Sequence, residues 1–189
     1  MEALWIILAV VVVVAIAAGI GLWAGYRSLL RRQAQVDGAW GEIVGGIERR
    51  AELVPELVET VRGYAAHEKA TFEAVAQARE RTLAARRPAE AAAAEGPMQQ
   101  ALRSLLAVAE GYPQLQASEG FLDLRRGIAE AEDRIQGARR RYNGSVRELN
   151  AKVRSFPSSL FARRAGLGAQ EFFEAGDAAA LPEPPRVQF

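Results

Sequence analysis

Few residues in this chain have side chains that could do chemistry. His67 is the single histidine and stands in Gly63-Tyr64-Ala65-Ala66-His67-Glu68. A His-Glu pair on a helix invites a metallopeptidase reading, in which a second histidine one turn later completes a zinc site. That place is held by Thr71, so a metal here would need carboxylates alone or ligands from another chain. There is no cysteine, which excludes disulfides, Cys-ligated zinc, iron–sulfur clusters and thiol catalysis. No phosphate-cradling glycine loop, serine nucleophile elbow or paired-histidine motif occurs. The expectation is no enzyme, no cofactor and no metal, with His67 a hydrogen-bonding side chain on a helix face. A hydrolase using His67 with Glu68 or another carboxylate is the alternative. Asn143-Gly144-Ser145 fits a glycosylation acceptor, which matters only in a secreted protein.

Charge narrows the partners. Lys and Arg total 24, Asp and Glu 23, for a net charge of +1. That balance speaks against a nucleic-acid binder, which needs a strongly basic face. Half of the residues are apolar, too many for an acidic disordered segment. Arg49-Arg50 and Arg139-Arg140-Arg141 are local basic clusters that could attract anionic lipid. Glu130, Glu132, Asp133 and Glu148 lie near the second cluster, the usual pattern of a solvated helix face.

These residues must be positioned by helices. Between Glu2 and Arg27 no residue is charged. As a helix, residues 3–26 would extend about 36 Å, against a hydrocarbon core of about 30 Å. Trp5 near one end, and Trp23 and Tyr26 near the other, suit the two interfaces. The alternative, a cleaved signal peptide, has a basic start and a shorter apolar stretch, though Ala15-Ile16-Ala17 imitates a cleavage site. Arg27, Arg31 and Arg32 follow the span, which predicts a cytoplasmic body and a short outer N-terminus. Ala17, Gly21 and Gly25 recur every four residues, a row that would let two copies pack closely, although Gly and Ala are common in membrane helices anyway.

Beyond the span the pattern is helical throughout. Apolar residues from Tyr26 to Val75 recur mostly at threes and fours, which predicts one amphipathic helix over residues 26–81. Pro55 reads as a kink within it, and Gly45-Gly46 as a place where it could break. Residues 84–97, with Pro88, Gly96 and Pro97, read as a mobile connection. A helix over 98–110 follows, with Pro97 in its first turn and Gly111 and Pro113 as its stop. Ser118 can cap the next helix. Its seam is Phe121, Leu124, Ile128, Ala131, Ile135, Ala138, Tyr142, Val146, Leu149, Val153 and Phe156, a heptad pattern with one stutter. Phe156-Pro157 ends it. A short helix over 160–165 stopped by Gly166, another turn at 170–174 and a flexible proline-rich tail complete the chain.

Several segments together resemble the LemA family of bacterial membrane proteins. They are Ala39-Trp40; the run from Arg49-Arg50-Ala51-Glu52-Leu53-Val54-Pro55-Glu56-Leu57 to Gly63-Tyr64-Ala65-Ala66-His67-Glu68; the run from Leu106 through Gly111-Tyr112-Pro113 to Ala117; Arg139-Arg140-Arg141-Tyr142-Asn143 with Asn150 and Phe156-Pro157; and Phe172-Phe173-Glu174. The sequence departs from the family pattern at Glu52, Glu56, Gln114, Ser159 and Gly45-Gly46, which puts in doubt roles that depend on those polar groups. The resemblance implies an all-α protein of the inner membrane: an N-terminal transmembrane helix (1–26), an antiparallel up-and-down four-helix bundle (27–174) and a tail (175–189). It implies no established activity. Neighbouring membrane-protease genes in such families point towards envelope quality control. The expected function is a membrane-anchored scaffold, with membrane-surface shaping as a further alternative. Its motif or interaction surface would be Arg49, Arg50, Glu52, Pro55, Glu56, Tyr64, His67, Glu68, Tyr112, Pro113, Tyr142 and Asn143. Its partners would be the lipid bilayer, a membrane or cytoplasmic protein and a second copy packed at Ala17, Gly21 and Gly25.

Overall fold

The computed structural model describes residues 2–156 and 158–174. Pro157 and the expected tail at 175–189 lie outside them. The described residues form helices α1 (Glu2–Arg62), α2 (Lys69–Ala84), α3 (Pro88–Glu110), α4 (Pro113–Gln116), α5 (Glu119–Arg154) and α6 (Ser158–Arg164), and no strand. They divide into two compact units. One joins the residues up to Gly38 to Gly144–Gln170, and the other joins Ala39–Asn143 to the residues from Glu171 on.

In the first unit the N-terminal part of α1 is apolar and uncovered. Trp5, Ile6, Leu8, Val11–Val13, Ile16, Ile20, Leu22 and Trp23 are all exposed. Among the described residues Gly25 is the first that is not fully exposed, and Leu29 is fully enclosed. Arg32 pairs there with Glu148 of α5. The amide of Asn150 receives a bond from the Gln170 N–H at 2.8 Å and returns one to the Gln170 carbonyl at 3.0 Å. Gly166 ends the turn after α6 at φ +67°, a left-handed conformation that glycine adopts without steric cost.

The core of the second unit gathers Val54, Leu57 and Val61 of α1, Phe72 and Val75 of α2, Met98, Leu102 and Leu105 of α3, and Phe121, Leu124 and Ile128 of α5. Along α1 and α5 the pairings Glu42–Arg141, Gly46–Ile135, Arg50–Glu132 and Leu53–Gly127 rise on one helix and fall on the other. The two helices therefore run in opposite senses. The α5 seam is buried from Phe121 to Leu149, but Val153 is only half-buried and Phe156 is 82% exposed, so the seam ends two positions earlier than its periodicity predicts.

Three further expectations are corrected. The helix expected over 26–81 is interrupted at residues 63–68. The N–H groups of Tyr64 and Ala65 both reach the Val61 carbonyl at 3.0 Å, and Ala65 is buried in the core. Turning there brings Phe72 and Val75 back onto α1, a gain that outweighs the unbroken helix. Residues 88–97 are helical rather than a mobile connection. Alanine is the best helix former and the stretch holds five of them between Pro88 and Gly96. Pro88, not Pro97, occupies the first turn, and Glu90 accepts from the N–H groups of Arg86 (2.9 Å) and Arg87 (3.3 Å). Residues 170–174 form no helical turn; their backbone bonds go to side chains of α5. Gly45-Gly46 does not break α1. A Cβ on Gly46 would lie 2.7 Å from Ile135 Cγ1, whereas one on Gly45 would meet nothing within 4 Å, so Gly46 serves close helix packing.

Candidate functional site

The polar centre of the second unit is built on Arg50, which is only 1% exposed. Its guanidinium forks onto Glu95 of α3, with Nη2 to Oε1 at 2.6 Å and Nη1 to Oε2 at 2.9 Å. Nη1 also reaches Oε2 of Glu132 on α5 at 2.8 Å. The other oxygen of Glu132 accepts from the amides of Gln99 and Gln136, both at 2.9 Å. Burial lowers the Arg50 pKa, but the bidentate bond and charge of Glu95, reinforced by Glu132, outweigh it and hold the group above its ordinary value. Such a buried pair holds where further hydrogen bonds support it, here those of Glu132, Gln99 and Gln136. It ties α1, α3 and α5 together at one level. Glu132, expected on a solvated face, is part of this network.

Pro55 lies inside α1, exposed. It has no N–H to give the carbonyl four residues back, which belongs to Ala51. Arg79 of α2 fills that role, with Nε donating to the Ala51 oxygen at 2.7 Å. The Pro55 motif thus has a structural partner that sequence spacing does not reveal. Pro97 orphans the carbonyl of Ala93 in the same way, but Ala93 is exposed to water.

The Tyr142-Asn143 motif holds the segment after residue 170. Asn143 Oδ1 accepts from the Phe173 N–H at 2.9 Å and its Nδ2 donates to the Phe173 carbonyl at 3.0 Å. Tyr142 Oη donates to the Glu171 carbonyl at 2.8 Å, and its ring packs near Trp40, 6.0 Å between centroids. Phe173 is buried, and Arg139 stacks over its ring at 5.9 Å. With Arg141 paired to Glu42, the triple-arginine cluster is partly structural rather than wholly a solvated face.

The remaining expected site residues are on the surface and apart from this network. Arg49 pairs with Glu52 at 3.1 Å on the outside of α1, and Glu56 is exposed beside them. Tyr64, His67 and Glu68 are exposed on the turn at 63–68, so His67 is not on a helix face. Tyr112, between α3 and α4, and Pro113, the first residue of α4, are exposed. Ala17 and Gly21 are exposed on α1, and a Cβ at Gly21 or Gly25 meets nothing within 4 Å. Among the described residues no three His, Asp or Glu side chains are grouped as metal ligands. An open groove of about 420 Å³ between α3 and α5 is lined by Leu102, Arg103, Leu106, Arg125 and Ile128; it is mostly apolar, with two guanidinium-bearing side chains in its lining. Sequence reasoning missed Glu95, Gln99, Gln136 and Arg79. Glu95 could have been found as a lone acid at a buried register within the alanine run.

The fold is thus an all-helical body continuous with an apolar helix long enough to cross a membrane. The chain belongs to the LemA family, whose model matches residues 39–189. It is also similar to two proteins of Paramagnetospirillum magneticum (strain ATCC 700264 / AMB-1), magnetosome proteins MamQ 1 and MamQ 2. Each is 31% identical over 87 residues, covering 44% of this chain and 32% of the relative. The chain thus spans about a third of the length of the curated relatives it matches.

Proposed function

We propose that this protein is a membrane-anchored helical scaffold of the bacterial inner membrane, without catalytic activity, that presents its body to a protein partner in the cytoplasm. The observation that carries this reading is α1 itself. One unbroken helix of 61 residues begins with an uncovered apolar stretch and continues into a packed, polar-faced one. A contiguous exposed apolar surface of this size is foreign to a soluble monomer, and a bilayer would cover it. Arg27 lies over the Trp23 ring at 5.3 Å, which suits the water-facing edge of a membrane, and the bases Arg27, Arg31 and Arg32 favour the cytoplasmic side.

In this reading residues 1–26 are the anchor, and the later part of α1 joins α2, α3 and α5 in an up-and-down four-helix bundle extending to residue 174. The ion network and the Asn143 clamp keep that body in one shape. The exposed motif residues at 49–56, 63–68 and 112–113 form its docking surface. The open space at Gly21 and Gly25 accommodates a second copy. Family membership supports a role in the envelope, including quality control there.

The chain lacks cysteine, so one introduced thiol reports its side. Tyr112→Cys in cells should react with an impermeant maleimide only after membranes are inverted, and the protein should stay in the membrane through alkaline washing. Release by alkali, or labelling from outside intact cells, would contradict the reading.

A further inference from the structure

Among the described residues beyond the anchor, the corner between α5 and α6 carries the most exposed large apolar side chain. Phe156 is 82% exposed and Leu160 is 59% exposed. A lone exposed apolar residue needs no explanation, but these two have a specific location and company. Arg32 of α1 pairs with Glu148 of α5, and the same side chain borders a shallow groove with Ala151, Lys152 and Ser155. Ser155 lies seven residues beyond Glu148, and Gly25 lies seven residues before Arg32. Gly25 is the first of the described α1 residues that is not fully exposed. With helix rise equal on both sides, the corner is level with Trp23, Gly25 and Tyr26, where the apolar stretch ends.

Apart from Glu148, which pairs with Arg32, the charge there is basic. Residues 151–170 include Lys152, Arg154, Arg163 and Arg164 and no acid. On α1 the adjoining bases are Arg27 and Arg31, each preceded by an exposed apolar-bodied residue, Tyr26 and Leu30. Ala162 and Ser158 form the buried face of α6, which leaves Leu160, Arg163 and Arg164 outward. Exposed apolar residues rimmed by bases match an anionic bilayer surface.

We propose that the α5–α6 corner is a second membrane contact, inserting Phe156 and Leu160 at the boundary between headgroups and acyl chains of the leaflet from which α1 emerges while Lys152, Arg154, Arg163 and Arg164 engage its anionic headgroups. This rests on the reading of α1 as a membrane span. Two contacts fix the tilt and rotation of the first unit, which a single helix leaves free.

The test uses the full chain reconstituted in vesicles of phosphatidylcholine and phosphatidylglycerol with brominated acyl chains. An environment-sensitive fluorophore is placed on Ser155→Cys at the corner, on Ile16→Cys in the span, or on Tyr112→Cys as a solvent reference. The corner label should emit to the blue of the Tyr112 label and lose emission to bromine. Adding Phe156→Asp with Leu160→Asp should restore water-like emission at the corner and leave the Ile16 label quenched. Omitting phosphatidylglycerol should shift the corner emission back towards the red. A water-like corner beside a quenched Ile16 label overturns the corner contact alone. A water-like Ile16 label overturns the span and the corner contact with it.

Discussion

Arg79 donates its Nε–H to the backbone carbonyl of Ala51 at 2.7 Å, the one acceptor that Pro55 leaves without its helical donor. The proline and the arginine are therefore one device, shared between α1 and α2. Arg79→Ala should destabilise the body by about 1–3 kcal/mol, the cost of a buried acceptor left unmade. Adding Pro55→Ala, which returns an N–H to position 55, should recover most of that loss. A double-mutant cycle by urea denaturation measures the coupling, and additive effects would show that Arg79 acts elsewhere.

The ion network is predicted to be costly to halve and tolerant of complete removal. Glu95→Ala strands a guanidinium that is 1% exposed and should cost about 3–5 kcal/mol. Arg50→Met with Glu95→Leu and Glu132→Leu should come back close to wild-type melting. Glu95 and Glu132 hold the Arg50 guanidinium above its ordinary pKa, so its stabilising charge is fully present below the unfolded value and lost only as pH rises through the still higher folded one. Its contribution is constant across neutral pH.

Glu90 gives the opposite dependence. The Arg86 N–H, and then the Arg87 side chain, hold its carboxyl below the ordinary 4.5. A lowered folded pKa contributes stability above 4.5 that disappears as pH falls through the folded value. Glu90→Gln should therefore lose a little stability at neutral pH and show a shallower acid decline than wild type. Melting temperatures of the two proteins between neutral and strongly acidic pH check this; parallel curves would contradict it.

The two adjacent glycines of α1 should behave differently. Gly45→Ala meets open space and should stabilise by up to about 1 kcal/mol through helix propensity. Gly46→Ala presses on Ile135, so packing strain of about 1–3 kcal/mol should exceed the same propensity gain. Equal shifts in thermal melting would mean that the close approach at Gly46 has no energetic consequence.

What the sequence made legible follows from the range of each interaction. The α5 seam could be read because its 3-4 spacing is local and repeats for eight turns, and Ser118 caps it as expected, its Oγ accepting from the Phe121 N–H at 3.3 Å. Residues 84–97 were misread because three punctuating residues drew more weight than the alanines that fold there. The break at 63–68 has no proline, and its cause is the distant packing of Phe72 and Val75. Residues 170–174 look helical only until Asn143 and Asn150 are placed beside them. Arg50 and Asn143 stand out by resemblance, but their partners Glu95 and Phe173 are 45 and 30 residues away along the chain, beyond any local pattern.

The central claim is that the anchored body binds a partner rather than turning over a substrate. Cross-linking in native membranes followed by affinity purification, wild type beside His67→Ala, tests it most directly. The account predicts one stoichiometric protein partner retained by both, with the exposed His67 substitution changing stability by no more than about 0.5 kcal/mol. Absence of a partner from both, together with a hydrolytic activity that His67→Ala abolishes without unfolding the protein, would contradict it.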